Sequence, residues 1–102
     1  MKNLTDSTFD KYREDTMPLL VMFRADFAGP CRLAMPEFEG AASRIGNRIR
    51  CVTFDLDGNP DVPERYGVRS IPLFVLFEEG VPVKAVAGAL NESQILGEFD
   101  GE

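Results

Sequence analysis

Two uninterrupted apolar runs constrain this chain more than anything else in it. "LLVMFRA" at residues 19–25 and "PLFVLF" at residues 72–77 do not alternate between apolar and polar positions. A strand reads this way when both of its faces are covered, as in a sheet held between helical layers. What lies between and around them supplies the cover. Leu33, Phe38, Ala41, Ala42 and Ile45 fall near one stripe of a helix that follows Gly29-Pro30, with Pro36 inside it and Gly46-Asn47 ending it. "RIRCVTFDLD" at 48–57 alternates, with Ile49, Cys51 and Thr53 on one side and Val52, Phe54 and Leu56 on the other.

The remaining segments are shorter. "TDSTFDKYRE" opens on capping residues and predicts a first helix. Asn59-Pro60 reads as an N-cap with proline at the first helical position, so a short helix should run to about Tyr66. Glu79-Gly80 is a turn, and "VPVKAVAG" at 81–88 pairs back as a hairpin with Pro82 on an edge. "NESQILGEF" starts on an asparagine cap and forms the last helix, and the acidic "EFDGE" end reads as a solvated tail. The order is helix, strand, helix, strand, helix, strand, strand, helix. It predicts an α/β fold, a mixed central sheet flanked by helices on both faces, in one domain spanning residues 1–102.

The composition excludes more than it assigns. A formal net charge of −6 repels phosphate backbones and anionic membrane surfaces, so neither nucleic acid nor membrane is an expected partner. "MKNLTDSTFDK" lacks the apolar stretch of a signal peptide, and no run is long enough to span a bilayer, so the expected location is cytoplasmic. The chain has no histidine, which removes Ser-His and Cys-His catalysis and most zinc sites, so no metal and no cofactor is expected. Asp55, Asp57 and Asn59 imitate the start of a calcium loop. Its glycine position is Pro60 and its closing glutamate position is Tyr66, so they are turn residues. Two cysteines, Cys31 and Cys51, make no disulfide framework, and a buried inert thiol suits Cys51 better than a bridge.

The segment with chemistry in it is "FAGPC", Phe27 to Cys31. With cysteine at position 28, a strand would deliver a Cys-Gly-Pro-Cys turn onto a helix N-terminus. Free backbone N–H groups and the helix dipole stabilise a thiolate there, and a second sulfur one turn inside could attack a mixed disulfide formed at the first. Ala28 cannot attack anything. Cys31 alone is then a small residue filling a helix–sheet seam.

In its order of motifs the sequence resembles the thioredoxin family over nearly its whole length. "LLVMFRADFAGPCRLAMPEFE" is similar to the family's strand, redox loop and proline-containing helix. "DLDGNPDVPERYGVRSIPLFVLFEEG" is similar to its second half, and "GVPVKAVAGAL" to its final hairpin. The resemblance implies a thioredoxin fold with a cis Ile71-Pro72 bond facing the redox loop. It also implies a shallow apolar groove made by Phe27, Gly29, Pro30, Ile71, Pro72, Gly88 and Ala89, where an extended substrate segment pairs with backbone. The activity it implies is thiol–disulfide exchange on protein disulfides. Residue 28 would be the nucleophile and Cys31 the resolving thiol, recharged by a flavin- or ferredoxin-dependent thioredoxin reductase.

The departures from that family are several. The nucleophilic cysteine falls on Ala28, the tryptophan before it on Phe27, and a second tryptophan on Arg24. The buried acid that takes the inner cysteine's proton falls on Met22, and the lysine paired with it on Thr53. Two functional classes follow. In one, the chain is a protein-disulfide oxidoreductase whose nucleophile has been replaced by alanine through engineering, and it is catalytically inactive as it stands. In the other, it is a natural redox-silent relative that uses the groove to bind a partner, which Met22, Arg24 and Thr53 favour. In either class the expected state is a monomer or weak dimer.

Overall fold

In the computed structural model, which describes residues 1–101, a five-stranded sheet carries two helices on each face. The strands are β1 (Asn3–Leu4), β2 (Leu19–Arg24), β3 (Arg50–Asp55), β4 (Leu73–Glu78) and β5 (Val81–Ala87). The helices are α1 (Phe9–Arg13), α2 (Gly29–Ile45), α3 (Asp61–Arg65) and α4 (Glu92–Phe99). The spatial order is β1-β3-β2-β4-β5. The first three strands run parallel, while β4 and β5 are antiparallel to their neighbours. The two apolar runs are thus the central strand and its neighbour, covered above and below.

Strand alternation sorts the core into two layers. Leu20 and Met22 of β2 face Phe38 of α2, Phe74 of β4 and Ile95 of α4. Leu19, Val21 and Phe23 face Phe9 of α1, Phe54, Val62 of α3 and Phe77. The second layer is the more aromatic. Phe9 meets Phe54 and Phe77 edge-on, with ring centroids 6.1 and 5.4 Å apart. Each large side chain removed from water here contributes about 1.5–3 kcal/mol against the chain entropy that folding removes.

Helix α2 buries Cys31, Ala34, Phe38, Ala41 and Ile45 at alternating spacings of three and four. Leu33 does not join that stripe: two residues from Cys31 it points away, and it is 71% exposed. The helix ends at Gly46, whose N–H still makes the helical bond to the Ala42 carbonyl at 3.0 Å and whose φ of +65° turns the chain out of the helix. Helix α4 carries the reciprocal capping expected of Asn91, whose side chain accepts from the Gln94 N–H at 2.8 Å while Gln94 Oε1 accepts from the Asn91 N–H. The hairpin turn takes positive φ at Glu79 and Gly80, the twist that suits a two-residue connection.

Three further expectations need correction. Strand β1 was not foreseen, because two residues carry no periodicity. It forms only because Leu4 is drawn into the core beside Phe54 on β3. Asn59 does not cap α3. Its side chain instead accepts from the Asp6 N–H at 3.0 Å, and the Asp6 carboxylate caps the helix, accepting from the N–H groups of Asp61 at 3.0 Å and Val62 at 2.9 Å. "EFDGE" is not all tail either: Phe99 closes α4 inside the core, 6.3 Å from the Phe74 ring, and Asp100 pairs with Arg48. Asp6→Ala removes both cap bonds and is expected to lower stability by about 1–2 kcal/mol in urea unfolding. An unchanged midpoint would show that water replaces the cap at no loss.

Candidate functional site

The sheet brings the loop after β2 and the start of β4 to one end. Phe23 lies opposite Leu73, so the chain leaves β2 where it enters β4, and Leu73 in turn lies opposite Ala87. The Gly88 N–H donates to the Pro72 carbonyl at 2.9 Å, which seats the exit of β5 on the same spot. Clefts beyond the carboxyl ends of parallel strands, where the strand order reverses, are where open α/β sheets place their sites. The Ile71–Pro72 peptide bond is cis. Of the residues expected to line a groove, Phe27 stands 83% exposed and Pro30 is exposed. Gly29, Ile71 and Gly88 are half-covered, Pro72 is buried, and Ala89 is exposed.

Ala28 is the N-cap of α2, with extended backbone at φ −88° and ψ 113° and no side-chain cap. Its carbonyl accepts from the Cys31 N–H at 3.0 Å, which places Cys31 one turn inside the helix. Cys31 is 1% exposed, among the core side of the helix. What this geometry can do chemically is plain: any group at position 28 sits at the positive end of a seventeen-residue helix, and Cys31 is the sulfur behind it.

Behind the loop, Met22 and Thr53 are register partners on β2 and β3, both buried. The Thr53 hydroxyl donates to Asn3 Oδ1 at 3.0 Å. The two positions where the family resemblance puts an acid and its lysine therefore sit side by side. Here they hold a thioether and a hydroxyl satisfied elsewhere.

Arg24 is the feature that sequence reasoning undervalued. Its side chain is only 17% exposed and pairs with Asp26 of the loop and with Asp55 on β3, at 3.6 Å from the latter. The two-residue spacing to Asp26 was visible in the chain. The pairing with Asp55, which is its register partner, was not.

Cys51 is half-buried rather than buried, at the opposite end of β3 from the loop. Burial, reinforced by the negative charge of Asp100, pushes its thiol up to about 12. Both cysteines are free. Only the thiolate is nucleophilic, so at pH 8 Cys51 is expected to be almost wholly in its unreactive thiol form. Alkylation by iodoacetamide in the folded protein is expected to be slow, to quicken about tenfold per pH unit, and to be fast for both cysteines in urea. Mass spectrometry of timed aliquots measures this. Ordinary thiol rates at Cys51 at pH 8 would contradict it.

Among the described residues, no group of three or more Cys, Asp or Glu side chains comes together as a metal site, and no helix is long and apolar enough to cross a membrane.

A parallel β1-β3-β2 core, two antiparallel strands, and a proline turn feeding a helix opposite a cis-proline define the thioredoxin-fold class. The comparisons agree. The family model described as Thioredoxin matches residues 1–100. Thioredoxin 1 of Synechococcus elongatus is 35% identical over 98 residues, covering 95% of this chain and 92% of the relative. Thioredoxin 1 of a Nostoc species is 38% identical over 93 residues, 90% of this chain and 87% of the relative. Thioredoxin of Rhodospirillum rubrum is 33% identical over 99 residues, 93% and 92% of the two chains. The chain belongs to the thioredoxin family.

Proposed function

We propose that this protein is built for thiol–disulfide exchange with protein disulfides, that position 28 is its point of attack, and that with Ala28 in place it turns over no substrate. The observation that carries this reading is the placement of Ala28 as the N-cap of α2, with Cys31 one turn behind it. A thiolate at position 28 would attack one sulfur of a substrate disulfide, forming a mixed disulfide and expelling the other sulfur as thiolate. The Cys31 sulfur would then attack the sulfur at 28, closing an internal disulfide and releasing the substrate as a dithiol. An external dithiol, in a cell a thioredoxin reductase, would restore the reduced pair. With Met22 in the acid's seat, β2 offers no carboxylate to take the proton from Cys31. Exchange should therefore be slower than the turn alone would permit.

The groove of Phe27, Ile71, Pro72 and Gly88 serves to hold an extended segment of the substrate. Residues 1–102 act as one domain in this reading, in the cytoplasm, as a monomer or weak dimer, with protein disulfides as substrates. A second reading, a redox-silent module that only binds, is favoured by Met22, Arg24 and Thr53, three positions that a lone loss of the nucleophile leaves unexplained. Restoring cysteine by Ala28→Cys and following dithiothreitol-driven reduction of insulin separates the two. Turnover supports a disabled oxidoreductase. A folded Ala28→Cys protein without turnover supports the binding module.

A further inference from the structure

Arg24 ends the central strand β2, where the chain enters the 25–28 loop. The five residues of β2 before it are buried and apolar, and a guanidinium at the end of such a strand is retained only if charge partners meet it. Two do. One is Asp26, in the loop, with a side chain 80% exposed. The other is Asp55, at the end of β3. Arg24 Nε is buried without a hydrogen-bond partner, so the two terminal nitrogens, one on each carboxylate, hold the guanidinium in place. Asp26 is gripped a second time: Arg32 Nη1, from the first turn of α2, donates to its backbone carbonyl at 2.8 Å. The chain between these grips turns tightly, the Ala28 N–H reaching the Ala25 carbonyl at 3.1 Å.

We propose that Arg24 is a positioning residue: by bridging Asp26 to Asp55 it fastens the 25–28 loop to the sheet and fixes the direction in which Phe27 and residue 28 face the substrate groove. Arg32 holds the same loop from the helix side. The ordering of the loop follows from the ion pairs alone. Its effect on turnover rests on the exchange reading above.

The absence of any tryptophan supplies a clean probe. Phe27→Trp introduces a single tryptophan into the loop, and its anisotropy and acrylamide quenching, excited at a wavelength that Tyr12 and Tyr66 do not absorb, report loop order. On that background Asp26→Asn, at an exposed site with little bearing on folding, and Arg24→Gln are each expected to lower the anisotropy and raise quenching. The two combined should do no more than either alone, because they break the same bridge. Raising salt to 1 M should move the parent part of the way and the variants little. Unchanged anisotropy in Asp26→Asn, or strictly additive effects of the two variants, overturns the clamp. Kinetics are read separately, with Phe27 retained, in the Ala28→Cys protein. There Asp26→Asn should lower kcat for insulin reduction by about tenfold with KM little changed, since a misplaced nucleophile is slow rather than unbound. A KM increase alone, with kcat intact, counts against positioning. If Ala28→Cys shows no turnover, the exchange reading fails while the fluorescence result still decides the clamp.

Discussion

Ala28→Cys is expected to turn a chain indistinguishable from dithiothreitol alone into a catalyst of insulin reduction, on the order of 10²-fold above that background. The reason is geometric. Position 28 caps a long helix, so a thiol there gains from the helix's unpaired N–H groups and dipole, and it stands half-exposed where a disulfide can reach it. Cys31 is held one turn behind, and two such sulfurs react as an intramolecular pair with an effective molarity of roughly 10⁵ M or more. Adding Cys31→Ser to Ala28→Cys should stop turnover and leave the mixed disulfide with insulin trapped, visible on a non-reducing gel. Multiple turnovers by the Ala28 protein itself would overturn the assignment of position 28. A mixed disulfide that Cys31 fails to resolve would overturn the pairing.

Met22→Asp should destabilise the protein by about 3 kcal/mol or more at pH 8, and distinctly less at pH 5. Met22 is fully buried among Phe38, Phe74 and Ile95, and its register partner Thr53 offers a hydroxyl already given to Asn3. A carboxyl there ionises reluctantly, so its folded pKa lies above the unfolded value of about 3.9. The penalty is therefore absent below that value and grows as pH rises, until the folded group also ionises. What remains at low pH is the lost packing of the methionine. Urea unfolding at the two pH values measures the difference. Equal losses at both would mean that water reaches the site and that this seat is not the dry pocket described. Thr53→Lys added to Met22→Asp should recover part of the loss, by giving the carboxylate its charge partner.

Four of the five described strands and all four described helices were legible in the chain, for reasons that differ by element. "LLVMF" and "FVLF" are apolar throughout because both faces of β2 and β4 are covered. "CVTFDL" alternates because its two sides enter different layers. Asn91 and Gln94 announced α4 by a contact three residues apart. Leu33 was misplaced: five residues before Phe38, it lies about 140° round the helix from the stripe. The face that packs on the sheet is set instead by Cys31 and Ala34, which leaves Leu33 exposed. The site was half legible: Ala28, Cys31 and the Ile71-Pro72 pair stood out as motifs, whereas the Arg24 bridge did not.

Sequence by itself determined what depends on neighbours along the chain: the buried strands, the Asn91 cap of α4, the proline turn, and the absence of sulfur at position 28. Tertiary structure alone decided what depends on residues about 30 to 55 positions apart. Asp6 caps α3, β1 exists because β3 is there to receive it, and Arg24 finds Asp55 across the parallel ladder. Periodicity and caps are short-range and leave a mark in the order of residues. A long-range ion pair or a borrowed cap forms only once the sheet has set its partners side by side, and no local pattern encodes which carboxylate that will be.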